Sequence, residues 1–350
     1  MTILLQIIAV AFGLGFLIFI HELGHFSAAR LCKVRVLTFS FGFGRDLIKY
    51  VHKGTKYCIK LVPFGGFVEM AGDTPDKATG DSDEYLSKAW YKKVFIAFAG
   101  PFANYVLAIL IFAFVFNIWG AAQTTEISQI GFASKDYPAY EAGLIEDDII
   151  KSIDGVPISK WEDISYNLRN KSNQNAAFII QRGSYSFALN MLVANNPVTN
   201  FGLIGVSPKI IKRSVGSLES FKYGFNTVII QTFMTVSYLI DKIVTWEKPD
   251  ISGPIGIMHV MADATQRGLE DYLTLLGIIS VALGLFNLFP IPFVDGGMII
   301  LFLIEGIIRK QIGSKIILVY NTVGIIIICA IFLFATYSDL MRLGINKLFG

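Results

Sequence analysis

Two histidines flank a glutamate in His21-Glu22-Leu23-Gly24-His25. On a helix, residues four apart share a face, about 40° apart and about 6 Å along the axis. Both imidazoles can then grip one metal ion. Glu22 projects from the next face, where a carboxylate can take a proton from water held by that metal. The same spacing also arises by chance, with both histidines structural. Here the motif ends a charge-free run, Met1–Ile20, long enough to cross a bilayer. Ionisable groups in that setting are costly and usually functional.

A catalytic zinc takes three protein ligands and keeps one position open. The other histidines fit poorly. His52 lies in a Lys-flanked loop, and His259 falls in the outer region of the expected topology. Cys32, seven residues past His25, is a thiolate alternative. A carboxylate is the natural third ligand, and Asp295 is the candidate, in Asn287-Leu-Phe-Pro-Ile-Pro-Phe-Val-Asp-Gly-Gly297. Pro290 and Pro292 end the preceding span, and the glycines allow a tight turn. The alternative is that Asp295 only caps the following helix.

Those residues need a scaffold. The chain has 350 residues, 53% hydrophobic and 16% charged, which is too apolar for an ordinary soluble enzyme. Its net charge of +3 is spread out rather than gathered into a nucleic-acid patch. The three cysteines are far apart and suggest neither a disulfide framework nor a zinc knuckle. With no Lys or Arg ahead of it, the first apolar run reads as a retained span rather than a cleaved signal.

The first span is expected at about 2–25. Arg30 to Lys93 carries twelve Lys/Arg and is placed inside by the positive-inside rule. Within it, 34–72 reads as β structure. TFSFGFG puts Phe39, Phe41 and Phe43 at alternate positions, and KYCIKLVPFGGFVEMAG is expected to turn at Gly65-Gly66 as a hairpin. This is either a small cytoplasmic sheet or one that dips into the membrane and offers its edge to an extended substrate. Asp73 to Ser87 is a charged, turn-rich loop. The second span, about 94–119, follows Lys92-Lys93 as an inside anchor and carries Gly100-Pro101 and Asn104. Asn104 can bond a neighbouring helix or a substrate backbone.

Residues 121–206 form one small globular domain on the outer side. Residues 207–271 read as a linker and an amphipathic helix on the membrane surface. Tyr223–Ile240 is long enough to cross, but a third crossing there would put Asp295 on the opposite side from His21 and His25. The last part, 272–350, holds spans at about 273–290 and 316–337. Four spans are expected, with both termini outside and Arg309, Lys310 and Lys315 inside.

The sequence resembles the site-2 protease family of intramembrane zinc metalloproteases, in its bacterial RseP-like branch. The resemblance rests on HELGH (21–25), FSFGFG (39–44), PFGGFVEMAG (63–72), AGPFAN (99–104), the PDZ-like PAYEAGL (138–144), SGPIGI (252–257) and NLFPIPFVDGG (287–297). It implies an α-helical membrane protein with four transmembrane helices, a membrane-associated β-hairpin or sheet, and one inserted PDZ domain of α+β type. It implies one zinc ion per chain on His21, His25 and Asp295, with Glu22 as general base. Asn287 would contact substrate, as would the hairpin at Gly65, Gly66 and Phe67. Two departures stand out. Val294 precedes Asp295 where leucine is usual, and Met298 follows Gly-Gly where many relatives have histidine. A single PDZ domain also differs from the two in the best-known enterobacterial relative.

The expected reaction is hydrolysis of a peptide bond within a substrate's transmembrane helix. Substrates would be single-span proteins such as a pre-cut anti-sigma factor, or remnant signal peptides, with no nucleic acid involved. A monomer is expected in lipid of the bacterial inner membrane, with the PDZ domain periplasmic or extracellular and the active site near the cytoplasmic side. A peptide-binding membrane adaptor and a metal transporter are the rivals. The intact His21/Glu22/His25/Asp295 set opposes the first, and the lack of a second ligand set in the spans opposes the other.

Overall fold

The computed structural model describes residues 3–196, 200–246 and 253–342. Thr2 of the first expected span, Ser252 of the SGPIGI stretch and the end of the last segment lie outside them. The chain divides into two compact units, one of residues 1–118 with 216–350 and one of residues 119–215.

The larger unit begins with α1 (Ile3–Leu31), which runs on past the histidines instead of ending at them. Strands β1 (Val36–His52) and β2 (Thr55–Met70) follow, then α2 (Trp90–Trp119). The tight turn of the sheet lies at Lys53-Gly54, between the paired His52 and Thr55, and not at Gly65-Gly66. Both turn residues have positive φ, 47° and 78°, the signature of a two-residue turn that matches strand twist. Gly65 instead bends β2 with a φ of 110°, and a side chain at Gly66 would sit 2.5 Å from the Ser40 carbonyl. Residues 38–41 pair with 66–69 on one side and with 56–59 on the other, so the two long strands build a sheet wider than a hairpin. The sheet lies along α1. Phe19 packs on Phe39 and Phe41 with ring centroids 5.3 and 5.5 Å away, and Phe26 meets Phe39 at 4.8 Å. Arg30 anchors the turn end, Nη2 donating to Thr55 Oγ1 at 2.7 Å. In the charged loop that follows, the buried Glu84 accepts the Thr79 and Gly80 backbone N–H groups, which hold its carboxyl below the usual range.

The smaller unit is a mixed domain with its own core. Its elements are β3 (Ala121–Thr124), β4 (Ile130–Ala133), α3 (Pro138–Glu141), β5 (Ile149–Ile153), β6 (Val156–Pro157), α4 (Trp161–Leu168), β7 (Asn175–Arg182), β8 (Tyr185–Leu192), β9 (Ala194–Asn195), β10 (Gly202–Leu203), β11 (Val206–Pro208) and β12 (Ile210–Arg213). A four-stranded sheet has the order β6-β5-β7-β8. Alternation along β7 buries Ala176, Phe178 and Ile180 beside Ile150, Ile153 and Leu168. The domain reaches beyond residue 206, because β11 pairs with β4 and β12 with β3. Part of the expected linker is therefore strand.

The larger unit resumes with α5 (Ser217–Thr245), α6 (Pro254–Arg267), α7 (Leu269–Asn287), α8 (Asp295–Ile308) and α9 (Ser314–Arg342). Among the described residues, α1, α2, α5, α7 and α9 are long and apolar enough to cross a membrane. The expected surface helix is thus one of five candidates. The start of α5 lies lengthwise on α2 rather than apart from the bundle. Asn117 Nδ2 donates to Ser217 Oγ at 3.3 Å, Gly224 abuts Ile109 and Ala113, and Val228 packs on Ala108 and Phe112.

Buried charges tie the helices together. Lys93 is no headgroup anchor: it is 1% exposed, and its Nζ lies 2.6 and 2.8 Å from the two carboxylate oxygens of Glu305 on α8. The same ammonium stands 4.8 Å from the centroid of the Phe302 ring. Asp339 near the end of α9 accepts the Gly253 and Gly256 N–H groups at 2.9 and 2.8 Å, closing the start of α6. Breaking a buried pair by removing one partner costs about 3–5 kcal/mol, because the other charge is stranded. Lys93→Met should therefore lower the unfolding midpoint in detergent sharply, and adding Glu305→Leu should restore most of the loss. Equal midpoints for the single and double variants would show that the pair is not coupled.

Candidate metal centre

The centre forms where α1 and α2 run antiparallel at close range. Two glycines permit the approach. A side chain on Gly24 would strike the Ala99 carbonyl, and one on Gly100 would strike the Nε2 atoms of His25 and His21. With Gly100 bare, both rings turn inward, 7% and 8% exposed, their Nε2 atoms 3.1 Å apart.

Asp295 completes the group as the first residue of α8. Its Oδ2 lies 3.1 Å from His21 Nε2 and its Oδ1 lies 3.3 Å from His25 Nε2. Val294 is the N-cap of α8 and makes no side-chain cap bond, and Asp295 follows it as the first helical residue. The chain reaches this point through the Pro290–Pro292 bend. There Gly296 and Gly297 press against the backbone of Leu288 and Ile291, and Tyr320 Oη on α9 donates to the Gly297 carbonyl at 2.9 Å.

One ligand atom from each of His21, His25 and Asp295 lies within 4.8 Å of the others, a spacing that can hold a metal ion. The polar accounting fits a cation. Asp295 Oδ2 is buried with no hydrogen bond of its own, beside two imidazole nitrogens that a metal would turn into fellow ligands. Cys32 is buried in a separate apolar cluster with Ala28, Val34 and Met70. His52 stacks on Tyr50, and His259 pairs with Asp263 at 3.4 Å. None of the three joins the centre.

The rings are held from behind. His25 Nδ1 donates to the Ile96 carbonyl at 2.8 Å, and the amide of Asn104 meets His21 Nδ1 at 3.1 Å. Glu22 is fixed from a different direction: its Oε2 accepts the Val68 N–H of β2 at 3.0 Å. Sequence reasoning missed Val68, Ile96 and Gly100. The signal for the last was present in AGPFAN, where glycine and proline interrupt a span at the level of the histidines.

The remaining expected residues are placed as follows. Asn104 is fully buried against His21. Gly65 and Gly66 form the bend of β2, and Phe67 stacks on Phe43 with centroids 6.2 Å apart, one residue from the strand N–H that holds Glu22. Asn287 ends α7 with its Nδ2 donating to Leu283 O at 2.9 Å, and no hydrogen bond among the described residues joins it to the His–Asp group.

The chain is similar to known proteins over nearly its whole length. The model of peptidase family M50 matches residues 9–331. A protein of Clostridium acetobutylicum with a provisional zinc metalloprotease name is 30% identical over 96% of this chain and 97% of its own. One from Campylobacter jejuni, similarly named, is 32% identical over 97% and 94%. Metalloprotease MmpA of Caulobacter vibrioides is 28% identical over 99% and 98%. Among solved structures, a PDZ domain of an SdrC-like protein from Listeria monocytogenes aligns with 16% identity and a TM-score of 0.22, covering 25% of this chain and 90% of that one. With the family match spanning nearly its whole length, the chain belongs to peptidase family M50, the site-2 protease family, and is a multi-pass membrane zinc metalloprotease.

Proposed function

We propose that the protein hydrolyses a peptide bond inside the transmembrane helix of a membrane substrate, with zinc held by His21, His25 and Asp295 and with Glu22 as general base. The observation that carries this reading is the position of Glu22. It sits between a His–His–Asp group and an edge of the β1–β2 sheet, within helices long enough to cross a bilayer. Zinc bound there supplies a Lewis acid and a water whose pKa falls to about 7. Glu22 Oε2 is held by Val68, which leaves Oε1 to receive the proton and pass it on to the leaving amine.

A helical substrate hides its backbone in its own hydrogen bonds and must unwind to be cut. Unpaired N–H and C=O groups in lipid cost several kcal/mol each, so an exposed strand edge gives the unwound segment partners. The stretch Gly65–Phe67 is assigned to that role, the Val68 N–H being already held by Glu22. Single-span proteins such as an anti-sigma factor and remnant signal peptides both present the required form.

The architecture supports four complete crossings, by α1, α2, α7 and α9. Helices α5 and α7 lie along α2 in the same sense. Ser217 is beside Asn117 and Val228 beside Ala108, just as Gly277 is beside Phe112 and Gly284 beside Pro101. If both crossed, the chain between them would have to cross back, and α6 has only 14 residues, about 21 Å of helix. Helix α5 is thus assigned to the side of the bundle. The domain at 119–215 is assigned as a PDZ module facing the periplasm or exterior of a bacterial inner membrane, the zinc site lies toward the cytoplasmic side, and the working unit is a monomer in lipid.

Glu22→Gln should keep one zinc per chain while cleavage of a single-span peptide falls at least about 100-fold; retained turnover would remove the base from Glu22. Asp295→Asn should lower zinc affinity by more than about tenfold, read by chelator competition, and unchanged affinity would point to another ligand. Removing residues 119–215 should change which substrates are cut while the remaining core still hydrolyses an unstructured span. A zinc-loaded, folded core that cuts nothing would contradict the substrate-screening role.

A further inference from the structure

We infer that Asn104 is a positioning residue that holds His21 in the tautomer able to ligate, with hydrogen on Nδ1 and a bare lone pair on Nε2. The inference rests on the zinc reading above and adds a residue to it.

The two histidines are supported differently. His25 Nδ1 faces the Ile96 carbonyl at 2.8 Å. A carbonyl only accepts, so this ring carries a hydrogen on Nδ1, and Nε2 is the nitrogen turned to the centre. His21 has no carbonyl behind it. Its Nδ1 faces the Asn104 amide at 3.1 Å, and an amide can either donate or accept. The choice decides the chemistry. If Asn104 donates, His21 Nδ1 must accept and the ring hydrogen moves to Nε2. There it points at His25 Nε2 and Asp295 and blocks ligation.

Ligation through His21 Nε2 requires the accepting orientation. With Nδ2 toward the ring, Asn104 Oδ1 is left buried with no hydrogen-bond partner, a costly state for an acceptor in a residue that is 0% exposed. Oxygen and nitrogen of an amide are interchangeable in shape, and their assignment follows the hydrogen-bond network. Turning the amide about its last side-chain bond places Oδ1 at His21 Nδ1–H and gives both histidines the same tautomer. The backbone of Asn104 is itself braced, its carbonyl accepting Ser280 Oγ from α7 at 2.9 Å. Side chain and backbone of Asn104 together join α1, α2 and α7 at the level of the His–Asp group.

The test uses the full-length protein in detergent, with ¹⁵N-histidine labelling and zinc competition against a chromophoric chelator. In the zinc-loaded wild type, the nitrogen shifts of His21, assigned by their loss in His21→Ala, should report hydrogen on Nδ1 and metal on Nε2. Hydrogen on Nε2 would overturn the proposal without reference to any Asn104 variant. Asn104→Leu should lower zinc affinity about 10- to 100-fold, the usual cost of losing a ligand's hydrogen-bond partner. Asn104→Asp, which at neutral pH can only accept, should stay within a few fold of wild type. Equal affinity for the Leu variant, or equal losses for Leu and Asp, would reduce Asn104 to packing. Failure of the wild type to take up zinc would instead bring down the metalloprotease reading, so the two ideas fail separately.

Discussion

Everything at the centre depends on how closely α1 and α2 approach. Two spans of this composition pack mainly through van der Waals contact, and small residues set how near the backbones come. Gly24 lets α1 reach the Ala99 carbonyl, and Gly100 clears the space that the imidazoles occupy. A methyl group at Gly100 would overlap both ring nitrogens and push the histidines off one another. The approach also brings the Ile96 carbonyl and the Asn104 amide to the outer ring nitrogens. One helix crossing thus sets ring position, ring orientation and hydrogen placement together.

The third member of the His–His–Asp group needs a separate device, because it arrives from a helix almost 300 residues along the chain. Asp295 begins α8, and that helix is pinned at two levels. Gly296 and Gly297 pack on the bend that precedes it, while ten residues on Glu305 is paired with Lys93 of α2. Trp90 of the same helix covers Gly306. A buried ion pair is a poor source of net stability, but it is directional, and a wrong register strands two charges. In this position it fixes the slide of α8 against the helix that supports the histidines.

What was legible in the sequence follows from range. The His21/Glu22/His25 spacing is local, so the helical period alone put both rings on one face. Asp295 was legible because two prolines and two glycines marked a break at membrane depth. The β region was recognised from alternation, but its turn was misplaced. Gly65-Gly66 looked like the stronger turn signal than Lys53-Gly54, yet the glycines serve a bend whose need arises from the Ser40 carbonyl packed against Gly66. Lys93 was read as a membrane anchor because its partner lies 212 residues away, and no local pattern announces such a pair. The domain boundary slipped for the same reason: β12 reveals itself only by pairing with β3, across nearly the whole domain.

The sheet and α1 are also not separable. An unpaired strand edge carries N–H groups that need acceptors, and a carboxylate beside apolar helices needs donors. Val68 and Glu22 satisfy one another, at 3.0 Å. The contact aims Glu22 toward the sheet side of α1 while the histidines face α2, which is the division of directions that the helical spacing of residues 21, 22 and 25 provides. It also places the carboxylate beside the stretch Gly65–Val68, whose bend at Gly65 brings this end of β2 along α1. Hence the glycines of β2, far from the histidines in sequence, belong to the same construction: they decide where the edge lies, and the edge decides where the Glu22 carboxylate points.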